Sequence, residues 1–148
     1  MNGDAAPKLT KLEKHKLWQE TLILTNYFYG LLENLPFEEK YISASKIRMA
    51  SNDFLYSIGL ALGNSSPSGR EYDWSNARKY ISGVKAIYRF IGDQGFVKID
   101  PDIMLKIEAV ITQIDKEVAR GYKASAEVYE KEIDSWHKKY DAYKKMDT

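Results

Sequence analysis

At 148 residues, with 44% hydrophobic and 29% charged residues, the chain has the length and usage of one globular domain, which excludes a disordered polymer. Its 22 Lys and Arg against 21 Asp and Glu leave a net charge of +1, so no overall field draws it to nucleic acid or an anionic membrane, and such binding would need local patches. The absence of cysteine excludes disulfides, thiolate nucleophiles and thiolate metal sites, and suits a reducing cytoplasmic setting.

Residues 1–8 carry no apolar h-region and are expected to form a flexible N-terminal tail. The most apolar run, Thr21 to Leu32, is broken by Asn26 and Gly30 and falls short of the roughly 20 residues that span a bilayer. Three internal prolines, Pro36, Pro67 and Pro101, divide long helix-forming stretches, because proline is tolerated at a helix start but not in its interior.

The first helix is expected over about Leu9 to Leu35, with Leu17, Leu24, Phe28, Leu31 and Leu35 on one face. The second begins at Pro36, with Glu38 and Glu39 at its positive end and Ile47, Phe54, Leu55, Ile58 and Leu62 inward, and stops near Gly63. A turn-rich loop follows, from Gly63 to Arg70. The third helix, capped by Asp73 or Ser75, presents Ala77, Ile81, Val84, Tyr88 and Ile91 until Gly92 and Gly95 end it. Asp100 and Pro101 open the fourth, whose core residues are Ile103, Ile107, Val110, Ile111, Ile114 and Val118. No stretch alternates as a strand does, so the expected fold class is all-α: an up-and-down antiparallel four-helix bundle over residues 9–120.

Residues 121–148 read as a helical extension. From Tyr122 the seam Ala126, Tyr129, Ile133, Trp136, Tyr140, Tyr143 follows alternating spacings of four and three, as in a heptad repeat. A helix continuous from Pro101 to Met146 would be about 69 Å long, too long to lie wholly on its neighbours, and Gly121 is the expected site of a bend. The segment beyond it would fold back, swap or project, and its aromatics ask for a covering surface. Tyr129, Ile133, Trp136, Tyr140 and Tyr143 are therefore candidate partner-binding residues.

Chemistry-bearing motifs are scarce. His15 and His137 sit among lysines on exposed stretches, and a single Asp134-x-x-His137 falls short of the ligand set of a bundle di-iron site. With no metalloprotease, phosphate-loop or nucleophile-elbow motif, neither catalytic residues, metal nor cofactor is expected. The most suggestive charge pattern lies on the third helix, where Arg78, Lys85 and Arg89 fall within about 40° of arc at 100° per residue, with Lys79 off the stripe. Such a stripe suits phosphates, but it equally suits a solubilising edge or a salt-bridged seam. Lys46 and Arg48, with Arg120 and Lys123, could extend it. Lys138, Lys139, Lys144 and Lys145 flank the tail aromatics, but Glu127, Glu130, Glu132 and Asp134 dilute them, favouring a docking seam over stacking on RNA.

The run from Leu31 through Leu35-Pro36-Phe37-Glu38-Glu39-Lys40 to Tyr41, then Ser45 to Arg48 and Ser51, resembles the first hairpin of one known family. That family joins ribosomal-RNA intervening-sequence proteins with the accessory variability determinant of diversity-generating retroelements. Ala77 to Ile81, Ile87 to Ile91 and Ile107 to Val118 resemble its second hairpin, and the likeness spans about residues 15 to 120. It implies a non-enzymatic bundle that assembles as a homopentamer. In the accessory branch it also implies a basic surface that binds RNA or other nucleic acid and partners a reverse transcriptase. Arg78, Lys79, Lys85 and Arg89 match the basic positions, with Lys46 and Arg48 beside them. The segment from Tyr122 to Thr148 extends beyond the pattern. The alternative function is a protein-binding adaptor that docks a partner helix through this C-terminal seam, without nucleic acid.

Overall fold

A computed structural model describes residues 10–31, 33, 35–64, 66 and 69–146. The tail expected at residues 1–8, together with Leu9, Leu32, Asn34 and Pro67, lies outside them. Among the described residues four α-helices follow in chain order: α1 (Lys16–Leu31), α2 (Phe37–Gly63), α3 (Arg70–Asp93) and α4 (Pro101–Met146). Among the described residues there is no strand, so the fold is all-α. Each helix packs on its sequence neighbours and α1 closes the ring against α4, while α1 and α3 meet across the diagonal through the side chains of Tyr27, Phe28 and Tyr88. The longest shared surface joins α2 and α3.

The core is built from the periodic apolar positions. Leu17, Leu24 and Phe28 of α1, Ile47, Phe54 and Ile58 of α2, and Ala77, Ile81, Val84, Tyr88 and Ile91 of α3 are buried. They meet Ile103, Ile107, Val110, Ile111 and Ile114 of α4. Each such side chain removed from water contributes about 1.5–3 kcal/mol if large, which is what holds four individually marginal helices together. Leu31, Leu62 and Val118 pack at the edge of this core, whereas Leu55 is only half-buried and outside it. Trp74, not foreseen as a core residue, is 2% exposed. Polar groups inside α1 are satisfied locally: Thr21 Oγ1 donates to the Leu17 carbonyl and Thr25 Oγ1 to that of Thr21, both at 2.8 Å.

Four boundaries differ from expectation. α1 starts at Lys16, not Leu9, because Thr10 and Glu13 close a separate turn by exchanging side-chain and backbone hydrogen bonds, as in a capping box. His15 then caps α1, its Nδ1 accepting the Leu17 N–H at 3.2 Å. At the other end α1 stops at Leu31, although Leu35 is still buried. α3 starts at Arg70, which puts Asp73 in the first turn beside Glu71, where both favour the helix dipole, instead of at a cap.

α3 also runs through Gly92 to Asp93. It ends in a Schellman motif, with Phe96 N–H on the Ile91 carbonyl at 3.0 Å and Gly95 N–H on that of Gly92 at 2.9 Å. Gly95 supplies the left-handed residue, φ +76°. α4 opens as foreseen, the Asp100 carboxylate accepting the Asp102 N–H at 2.9 Å.

The last difference matters most for function. α4 is one helix of 46 residues through Gly121, with no break there. Gly121 is its last buried residue and lines a small hollow with Arg70 and Trp74 at the start of α3.

Candidate interaction surfaces

Beyond Ser125 every described residue of α4 is exposed. At about 1.5 Å per residue the stretch from Ala126 to Met146 projects some 30 Å past the bundle. Its seam residues are bare: Tyr129 is 65% exposed, Trp136 60%, Tyr143 65%, Tyr140 44% and Ile133 38%. Trp136 stacks on Tyr140 at 5.4 Å between ring centres, and Lys144 Nζ lies 4.8 Å over the Tyr140 ring. Spacings of three and four put these side chains on one helix face, where stacking covers only part of each ring.

The basic stripe has a different setting. Arg78 Nε pairs with Asp115 Oδ1 at 2.8 Å, and Lys85 with Glu108. Both acids come from α4. Two of the three stripe residues are thus tied into the seam between α3 and α4, and Arg89 continues the stripe as an exposed residue. Lys79 is exposed and lies 5.5 Å over the Tyr80 ring. Arg48 stands 5.5 Å over the Tyr29 ring, at the seam between α1 and α2. In a ring of four helices that seam is opposite the one holding Arg78 and Lys85. Arg120 pairs with Glu117 one turn back at 2.9 Å. Lys46, Lys79, Arg89 and Lys123 make no ion pair among the described residues. The eight basic positions are therefore spread around the bundle, not gathered in one patch.

A third surface was not singled out from the sequence. Ile42, Met49, Tyr56 and Leu60 of α2 are exposed and fall within about 40° of arc, with Lys46 about 40° beyond one edge. Their heptad spacing was the available signal. It was hidden because α2 carries a second, inward apolar set, so its periodicity is blurred.

Between the start of α1 and α4 lies an open cleft of about 640 Å³, lined by Leu17, Leu105 and Val110 and bordered by the Lys106–Glu20 ion pair at 3.0 Å. Among the described residues no three His, Asp or Glu side chains group to hold a metal, and no helix is long and apolar enough to cross a membrane.

The strongest electrostatic perturbation is structural. Tyr88 Oη accepts the Asp100 N–H at 2.8 Å and shares a 2.8 Å hydrogen bond with Tyr27 Oη. Burial, then that hydrogen bond, pushes the Tyr27 phenol well above its ordinary range. The pair ties α1 and α3 to the entry of α4. No protein-family model matches the chain, and neither a curated protein nor a solved structure does so.

Proposed function

We propose that the protein is a non-enzymatic helical scaffold that works by assembly, with the outer end of α4 as its docking surface. One observation carries this. A continuous helix leaves the bundle bearing five exposed apolar or aromatic residues on a single seam, Tyr129, Ile133, Trp136, Tyr140 and Tyr143. Exposed contiguous apolar surface on an otherwise well-packed domain is the mark of an interaction site, and aromatic residues dominate the energy of such contacts. The charge-laden exterior and apolar interior suit work done at surfaces. Replacing Trp136 and Tyr140 by alanine tests the proposal. The melting temperature should hold, because neither residue touches the core, while association is lost. Association that survives the double change would end this assignment.

A second reading follows the resemblance: an oligomeric accessory protein, a homopentamer of the cytoplasm, that holds RNA and a reverse transcriptase on basic helix faces. What favours it is the set of exposed cations without carboxylate partners, Arg89, Lys79, Lys46 and Lys123. Arg78 and Lys85, already neutralised by Asp115 and Glu108, would contribute less. Changing Arg89 and Lys79 to glutamate should weaken RNA binding and lower its salt slope by about one unit for each phosphate no longer neutralised. Unchanged RNA affinity at fixed salt would remove these residues from the assignment.

A further inference from the structure

We infer that the outer end of α4 pairs antiparallel with the same segment of a second copy of this chain. The inference deepens the docking proposal and rests on it. Two helices that meet along a heptad seam are matched by the residues flanking it. Here the flanks are divided. Glu130 and Glu132 border the seam in its first half, and His137, Lys139 and Lys144 in its second, all of them exposed.

Antiparallel pairing turns that division into complementarity. With Ile133 set against Trp136 of the second copy, Tyr129 falls opposite Tyr140 and Ala126 opposite Tyr143, so the smallest seam residue meets a large one. The same register places Glu132 beside Lys139 and Glu130 beside His137 of the second copy, each twice by symmetry. Parallel pairing in register would bring Lys139 beside Lys144 of the neighbour and align the two helix dipoles. A partner helix of one charge sign would suit only half of the seam. A second copy, running the other way, suits its whole central stretch, from Glu130 to Lys139, and leaves only Lys123 beside Lys144 as a like-charged pair at each exposed end.

The length of the projection agrees. In this register Met146 of one copy falls opposite Lys123 of the other, just beyond Gly121, the last buried residue of α4. The described helix of one copy therefore overlaps the whole exposed segment of the other, and its last turn comes level with Ser125, where α4 still touches α3 through Glu71. Pairing covers Trp136 and the tyrosines without disturbing either core.

Cysteine cross-linking of the full chain tests the geometry, since the chain has no cysteine of its own. Under mild oxidation the double variant A126C/Y143C should form a covalent dimer, and so should a mixture of the two single variants. Each single variant alone should not. Within one helix the two positions stand about 25 Å apart, far beyond disulfide reach. Cross-linking of A126C with itself would show parallel pairing and overturn the inference. So would an absence of cross-links in every combination.

In the cysteine-free chain, Glu132→Lys should weaken self-association about tenfold, and adding Lys139→Glu should restore it. No change on charge reversal would likewise contradict the register. The two levels of the claim separate cleanly. A monomer that captures a defined partner, and loses it with Trp136→Ala, overturns self-pairing but keeps the docking surface. Association unaffected by any change beyond Ser125 overturns both.

Discussion

Arg78 and Asp115 join α3 to α4 by an ion pair of 2.8 Å, and one heptad further along both helices Lys85 meets Glu108. Because the helices run in opposite directions, the two pairs share one register, which they help to set. They also redirect the most basic stripe of the chain from a free surface into a helix seam.

Both pairs are partly exposed, so each should contribute only about 0.2–1 kcal/mol. A double-mutant cycle on Arg78→Ala and Asp115→Ala, read by urea denaturation, should give a coupling in that range which shrinks at high salt. Zero coupling at low salt would mean that the pair does not form in solution.

Tyr88 has the opposite character. Its hydroxyl is buried and accepts the Asp100 N–H, so Tyr88→Phe should cost about 1–3 kcal/mol by leaving that donor unpaired, whereas Tyr27→Phe should cost less. The raised Tyr27 pKa adds a pH signature. The unfolded chain releases this proton near pH 10, its ordinary value, while the folded chain holds it to higher pH. The stabilising contribution is therefore whole below about pH 10 and falls as pH climbs above it. Alkaline denaturation curves should be less steep in Tyr27→Phe than in the parent.

Two glycines of α3 should respond in opposite senses to alanine. A Cβ at Gly83 would meet nothing within 4 Å, so Gly83→Ala should stabilise by about 0.5–1 kcal/mol through helix propensity. At Gly92 a Cβ would fall on the Ile99 side chain, which packs against the core. Gly92→Ala should cost about 1–3 kcal/mol, and Ile99→Ala in the same chain should recover part of it. Thermal melts of the three variants check the order.

Ser51 is 2% exposed and its hydroxyl has no hydrogen-bond partner. Ser51→Ala removes an unsatisfied buried group at little change in volume, so stability should hold or rise by up to about 1 kcal/mol. A clear loss on chemical denaturation would mean that the hydroxyl is satisfied in solution.

The core is readable because burial leaves a periodic trace: Ile81, Val84, Tyr88 and Ile91 are legible as one face from their spacing alone. Trp74 was not, since the expected cap at Asp73 or Ser75 placed it at or before the first turn. The start of α1 was misread because the Thr10–Glu13 turn imitates helix continuation. Gly121 suggested a bend, yet α4 continues through it, because a single glycine lowers helix propensity without breaking the hydrogen-bond ladder. The aromatic seam of α4 was legible in full. The neutralising partners of Arg78 and Lys85 were not, because Asp115 and Glu108 lie 37 and 23 residues onward and reach them only through the register of one helix on another. Local spacing holds no record of that register.

The most direct test of the account compares molar mass, by sedimentation equilibrium, between the full chain and a chain ending at Ser125. The shortened chain keeps every buried residue of α4 and the 3.0 Å hydrogen bond from Ser125 to Glu71. It should be monomeric with an unchanged melting temperature, while the full chain should be at least a dimer. Equal masses, or a shortened chain that no longer folds, would contradict the claim that the bundle is complete without the outer end of α4 and that assembly begins there.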